Sequence, residues 1–248
     1  MVSDSPAMAG SGILRAGPSM AARQAVAPDT RRRLQLVLAA IWLLDGVLQY
    51  QAFMFSRGFS QMLDSVAPGN PAVIADPITW AAKIVAQHPV PTNAAFATIQ
   101  VLIGLGIACR RTIRPALAAS IIWAVAVWWF GEGLGGILNG SASPVNGAPG
   151  AVIIYALLAV LLWPVADDDG AAQPGFVAAR PVGATVARVL WLVLWGSEAY
   201  FAVTAANRTA QGLHDMVAGM ASGEPSWLSA INRGAADVLA QHGLAASI

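Results

Sequence analysis

Apolar residues along this chain fall in long blocks instead of recurring at the three-and-four spacing of a half-buried helix. Crossing the hydrocarbon of a bilayer takes roughly 20 mostly apolar helical residues. Five stretches approach that length, at about 34–55, 93–109, 115–130, 150–166 and 185–206. Because backbone groups in lipid must pair within their own segment, the pattern predicts an all-α, polytopic transmembrane helix bundle of about five spans. Asn93 and Pro115 read as helix entrances, since proline is tolerated in a first turn. Between the first two blocks, Asp76 and Pro77 read as an N-cap and first helical residue. Ile78, Ala81, Ile84 and Val85 follow at helical spacing, which predicts an outer-loop helix at about 77–88, with Trp80 at the membrane interface. Beyond Asn207, Leu213, Met216, Val217 and Met220 predict a second amphipathic helix outside the membrane, closed by Gly223 and Pro225 and followed by a short mixed segment over 227–242. The domains expected are a disordered cytoplasmic tail at 1–33, the membrane bundle at 34–206 and an extracytoplasmic tail at 207–248.

Composition supports this reading and removes several function classes. The 248 residues are 56% hydrophobic and 11% charged, whereas a soluble domain carries roughly a quarter charged residues. Mean hydropathy is +0.60. Lysine and arginine set the orientation, because cytoplasmic flanks retain positive charge. Arg15, Arg23, Arg31, Arg32, Arg33, Arg110, Arg111, Arg114, Arg180 and Arg188 fall on one side. Arg57, Lys83, Arg208 and Arg233 fall on the other, which places the N-terminus inside and the C-terminus outside. The net charge of +1 gives no field for nucleic acid. The one cysteine, Cys109, at the inner end of the second span, excludes an intrachain disulfide and a Cys-x-x-Cys pair, and reads as a small packing residue.

Candidate chemistry lies with polar residues inside apolar blocks. Asp45, in the first span, shares a helix face with Gln49, with Trp42 and Ser56 continuing that stripe. Glu198 shares one with Trp191 and Trp195 in the fifth span, Glu132 follows Trp128 at the end of the third, and Gln100 lies in the second. Carboxylates at such depth cost a few kcal/mol, so they face a bundle interior. A cavity holding a polar headgroup, a cation or a proton against an aromatic wall of Trp42, Trp128, Trp191 and Trp195 is one reading. Interhelical hydrogen bonds that only fix packing are the other.

Several motifs carry less. The run from Gly131 to Gly136 matches Gly-x-Gly-x-x-Gly, but a tryptophan-rich membrane helix precedes it where the dinucleotide fingerprint needs a strand. It reads as a glycine-rich exit from the third span. No histidine falls in a span, which excludes a bis-histidine haem within the bundle. His214, Met216 and Met220 are a weak soft-metal candidate, set against the same methionines packing a helix face. Gly104 and Gly106 allow close approach either within the chain or between copies, so the oligomeric state is open.

Leu43-Leu44-Asp45-Gly46, residues 93–95, residues 100–106 with Arg110 and Arg111, and residues 128–136 together resemble the DoxX/DoxD-like group of small bacterial membrane proteins. The likeness covers about 34–163. It implies a four-helix membrane core and, for some members, a quinone-facing role beside redox enzymes. Asp45 departs from that pattern, which is more often apolar there. The resulting expectation is a quinone- or lipid-associated accessory subunit of a membrane redox system, not an enzyme on its own. It would bind membrane lipid and a redox or extracytoplasmic protein partner, with Asp45, Gln49 and Glu198 lining the cavity. The competing expectations are a proton- or cation-coupled transporter using Asp45, Glu132 and Glu198, and a scaffold that docks an extracytoplasmic partner through its outer helices.

Overall fold

A computed structural model describes residues 30–165, 178–203, 209–221 and 226–242. Those residues are helical, with no strand among them: α1 (Thr30–Leu48), α2 (Arg57–Ser65), α3 (Ala72–Gln87), α4 (Pro89–Ala108), α5 (Ile113–Phe130), α6 (Ala151–Leu161), α7 (Ala179–Val182), α8 (Ala184–Ala202), α9 (Ala210–Met220) and α10 (Ser226–His242). Short 3-10 turns occupy Ala52–Phe55, Gly133–Gly136 and Pro144–Asn146. Among the described residues two helices, α4 with 20 residues and α5 with 18, are long and apolar enough to cross a membrane. α1 and α8 are as long, but the arginines and Asp45 of the first, and Arg188 and Glu198 of the second, make them more polar. α6 is apolar but only 11 residues long, about 16 Å of helix. The expected tail at 1–33 falls outside the described residues up to position 29.

Four helices share one core. Leu38, Ala39 and Trp42 from α1, Ile103 and Ile107 from α4, Ala116, Leu117 and Ala124 from α5, and Ala156 and Ala159 from α6 are buried together. Polar ties cross the same layer. Trp42 Nε1 donates to Ser120 Oγ at 2.9 Å, and Gln35 Nε2 to the Leu162 carbonyl at 2.9 Å. Gly104 explains how close the helices come: a Cβ there would lie 2.7 Å from Leu43 Cγ and 2.9 Å from the Ala39 carbonyl. Gly106 likewise faces the Ala116 methyl. Both glycines therefore serve packing within the chain.

The structure corrects several boundaries. The first helix stops at Leu48, not near 55, and Ser56 does not extend its face. Ser56 instead caps α2, its Oγ accepting from the Gly58 N–H at 3.1 Å. Helix α2 was not anticipated. Pro77 is not a first helical residue: α3 begins at Ala72 and runs through it. A proline there removes one backbone hydrogen bond. The buried row Ile74, Ile78, Ala82 and Val85 continues through it, so packing carries the helix past the gap. Asn93 is not an entrance either, because Pro89 and Pro91 open α4 one turn earlier. α6 ends well short of 166, where Pro164 disfavours helical backbone in the residue before it. The segment 227–242 is a helix of 17 residues with its neighbour Ser226, longer than the short segment expected.

Candidate functional site

The end of the bundle where α1 closes and α4 opens is built differently from its middle. α2 and α3 lie against it, with Phe59, Leu63, Ala82 and Val85 buried between them and Phe96 of α4 packed alongside. The chain leaving α5 turns sharply, with Gly133, Leu134, Gly135 and Gly136 all at positive φ. Leu134, at φ 57°, is the one non-glycine there and sits in a conformation that costs a branched side chain energy. It is held by packing among Ala67, Ile74 and Ile78. The glycine-rich exit expected from the sequence is thus a left-handed turn that folds the loop back to α6.

These elements line a half-open cavity of about 440 Å³. Its wall is almost wholly apolar and aromatic, with Met54, Phe59, Trp80, Phe96, Trp123 and Phe130 prominent. Its polar members are few: Gln49, Thr92, Gln100, Glu132 and the Trp123 indole. Gln49 Oε1, Gln100 Oε1 and Trp123 Nε1 are shut off from solvent and have no hydrogen-bond partner. Leaving a buried donor or acceptor unmet costs about 1–3 kcal/mol. Three residues of the cavity wall, Gln49, Gln100 and Trp123, each carry such an atom, as Asn93 and Trp129 do outside it.

Glu132 is held by the chain itself. Its Oε1 accepts from the Val152 N–H at 3.2 Å, so the carboxylate sits at the N-terminus of α6, where negative charge is favoured. Gly150 makes room for it, since a Cβ at that position would strike Glu132 Oε2 and the Trp128 ring. Trp128 is a structural tie, donating to the Pro149 carbonyl at 2.6 Å. Asn93, fully buried, donates to the Gln49 carbonyl at 2.7 Å and anchors the end of α1 against α4.

The residues singled out by sequence divide accordingly. Gln49, Gln100 and Glu132 meet at the cavity. Asp45 does not: it is half-buried on α1 and electrostatically coupled to the Tyr155 hydroxyl of α6. Gln49 does stay one helical turn above it, its N–H donating to the Asp45 carbonyl at 3.0 Å, but of the two only Gln49 reaches the cavity. Trp42 is buried in the core, edge-on to Tyr155 with ring centroids 5.2 Å apart. Glu198, Trp191 and Trp195 are not in the wall either. They lie on α8, whose buried residues are Ala187 and Phe201, and the two indoles are 62% and 55% exposed and packed on one another. That helix carries its apolar surface outward, so its tryptophans face the surroundings of the protein.

No family model, curated protein or solved structure matches this chain. The site must therefore speak through its own geometry. Among the described residues no group of three or more His, Cys, Asp and Glu converges as a metal site. His214 and Met216 are two residues apart on α9 and so diverge. The side chain of Met220 lies outside what is described. The His214 ring instead reaches Asp215 at 3.0 Å and Asp237 of α10 at 3.8 Å.

Trp123 and Tyr155 were missed by the sequence reading. Each is an aromatic residue with one polar atom inside an apolar helix, and such an atom needs a partner when buried. That rule could have nominated both. Phe59, Met62 and Phe96, by contrast, look like any core residue until the helices are assembled.

Proposed function

We propose that this chain is a multi-span protein of a bacterial inner membrane that holds an amphiphilic molecule, a quinone or a lipid, in the cavity beside α4 and α5, as the accessory subunit of a membrane redox system. The observation that carries the reading is the conjunction of an apolar, aromatic wall with unpaired polar atoms on Gln49, Gln100 and Trp123. A pocket of this size and lining suits a ring or headgroup that makes a few directed hydrogen bonds and is otherwise greasy. Water alone would satisfy the polar atoms but would wet seven aromatic and thioether side chains at a cost. The resemblance to the DoxX/DoxD-like group points the same way, as does a core of four helices.

In this reading α1, α4, α5, α6 and α8 traverse the membrane with the N-terminus inside, the short α6 crossing together with its flanking residues. Support comes from the apolar outer face of α8 and from the arginines gathered at one end of the bundle. Reporter fusions after residues 111 and 147 test the orientation: the first should report the cytoplasm and the second the outside, and the reverse would overturn it.

The function is tested by purifying the chain in mild detergent and assaying its organic extract by mass and ultraviolet absorbance. A stoichiometric quinone or lipid is expected. It should be reduced roughly tenfold when Gln100→Leu and Trp123→Phe are combined, since each hydrogen bond contributes about 0.5–1.5 kcal/mol. An empty wild-type extract would sink the proposal.

One observation favours a second reading, proton transfer. The Tyr155 hydroxyl on α6 is electrostatically coupled to Asp45 and, more weakly, to Glu132, so it could relay a proton between the two acids. Proton flux in proteoliposomes that is lost in Tyr155→Phe would support transport, and flux indifferent to that change would not.

A further inference from the structure

The end of the bundle opposite the cavity gathers arginines. Arg31, Arg32 and Arg33 begin α1, Arg110 and Arg111 form the turn after α4, Arg114 lies in the first turn of α5, and Arg180 lies on α7. Specific contacts bring these segments together. The Arg32 guanidinium donates to the Ile107 carbonyl at 3.0 Å and to the Ala108 carbonyl, closing the last turn of α4 with a cation. Gln35 reaches the Leu162 carbonyl just after α6, and α7 packs against α6.

Arg33, Arg110, Arg111, Arg114 and Arg180 are exposed, and among the described residues none of the five pairs with a carboxylate. The described stretches 30–44, 102–130, 151–165 and 178–197 contain no Asp or Glu at all. Asp167, Asp168 and Asp169 lie outside the described residues, and three carboxylates are fewer than the arginines named. Like charges crowded in this way repel one another unless an anion joins them.

The surface beside the arginines turns aliphatic at once. Leu102 and Leu105, 61% and 53% exposed, lie within about two turns of Arg110 on α4, and Leu34 and Val37 flank Arg33 on α1. An anion suited to this place carries hydrocarbon with it. A nucleic acid or an acidic peptide would leave that wall bare. Guanidinium groups bind phosphate oxygens bidentately, and clusters of them beside a span attract anionic lipid.

We infer that this end binds the phosphodiester headgroup of an anionic phospholipid, gripped by Arg110, Arg111 and Arg114, with the acyl chains along Leu102 and Leu105. The inference rests on the reading that the chain spans a membrane, and is independent of what the cavity holds. The site sits at the other end of α4 and α5 from the cavity, so the two can be perturbed separately.

The test is native mass spectrometry of the full chain in mild detergent with an equal mixture of phosphatidylglycerol and phosphatidylcholine. Retention of phosphatidylglycerol about tenfold above phosphatidylcholine is expected, in line with clustered cations at a membrane surface. The preference should fall to near parity in R110Q/R111Q/R114Q and persist in R57Q/K83Q, which removes cations from the cavity end. Equal retention by the wild type, or a preference that survives the triple change, would overturn the inference. Displacement of the lipid by inorganic phosphate would assign the arginines to a free anion and overturn it as well. Failure of the membrane reading itself looks different: alkaline carbonate would release the chain from native membranes into the soluble fraction. A chain that stays in the pellet but shows no lipid preference refutes the lipid site alone.

Discussion

Two pairs of side chains of the same types meet opposite fates in this bundle. Gln35 and Trp42, in the four-helix core, both have partners: Leu162 and Ser120 accept their hydrogen bonds. Gln100 and Trp123, beside the cavity, leave Oε1 and Nε1 buried and unmet. Residue type therefore does not distinguish a structural polar group from a binding one here. Whether the fold itself supplies the partner does. The core pair fixes how α1 sits on α5 and on the segment after α6, while in the cavity pair only the packing of Trp123 on Phe96 and the core is supplied by the fold, and the two polar atoms are left for the proposed ligand.

That contrast breaks most visibly if Trp42 is removed. Trp42→Ala should destabilise the protein by about 3–5 kcal/mol, through lost burial and the orphaned Ser120 hydroxyl, read as a large drop in the thermal midpoint in detergent. Next is Gln35→Leu, which leaves the Leu162 carbonyl unpaired and should cost about 1–3 kcal/mol by the same assay. A comparable loss, about 1–3 kcal/mol, is expected for Gly104→Ala, whose new methyl has backbone on one side and Leu43 on the other. The cavity pair should behave differently. Gln100→Leu removes a buried group that has no partner, so ligand-free protein should keep its midpoint or gain slightly. Trp123→Phe sets the removal of an unmet Nε1 against lost packing on Phe96 and should cost less than Gln35→Leu, while ligand occupancy falls in both. A stability loss as large as that of Gln35→Leu would show that the cavity pair is structural after all.

The smallest effect lies outside the bundle, on α9. The hydrogen bond with the His214 ring, then that from the Gln211 amide, holds the exposed Asp215 carboxyl below its ordinary value of 3.8. A depressed carboxylate contributes stability that is present above the unfolded value and lost as pH falls through the lower folded one. Hydrogen exchange of the α9 amides should therefore quicken only under strongly acid conditions, and Asp215→Asn should abolish that pH dependence.

The helices were legible because apolar blocks and all-helical backbone satisfaction leave few alternatives. Their ends were less so. Hydropathy counts greasy residues whether or not the backbone stays helical, which is why 49–55 was joined to α1 and 162–166 to α6. Pro77 misled because a proline is usually read as a start, and only the buried face of α3 shows that the helix passes through it. Gln49, Gln100 and Glu132 were visible as polar residues in apolar surroundings. The same signal also nominated Asp45, whose partner Tyr155 lies on α6, and Glu198, on the outward-facing α8. Sequence marks a costly polar residue, and only the packing of neighbouring helices says whether it is already paid for.

The most direct measurement is the organic extract of the purified wild-type chain beside that of the Gln100→Leu, Trp123→Phe double variant, both checked for a comparable thermal midpoint. One quinone or lipid per chain in the wild type, and roughly a tenth of that in the variant, is the result expected. A wild type that yields none, or a variant that retains it all, would contradict the assignment of this cavity as a binding site.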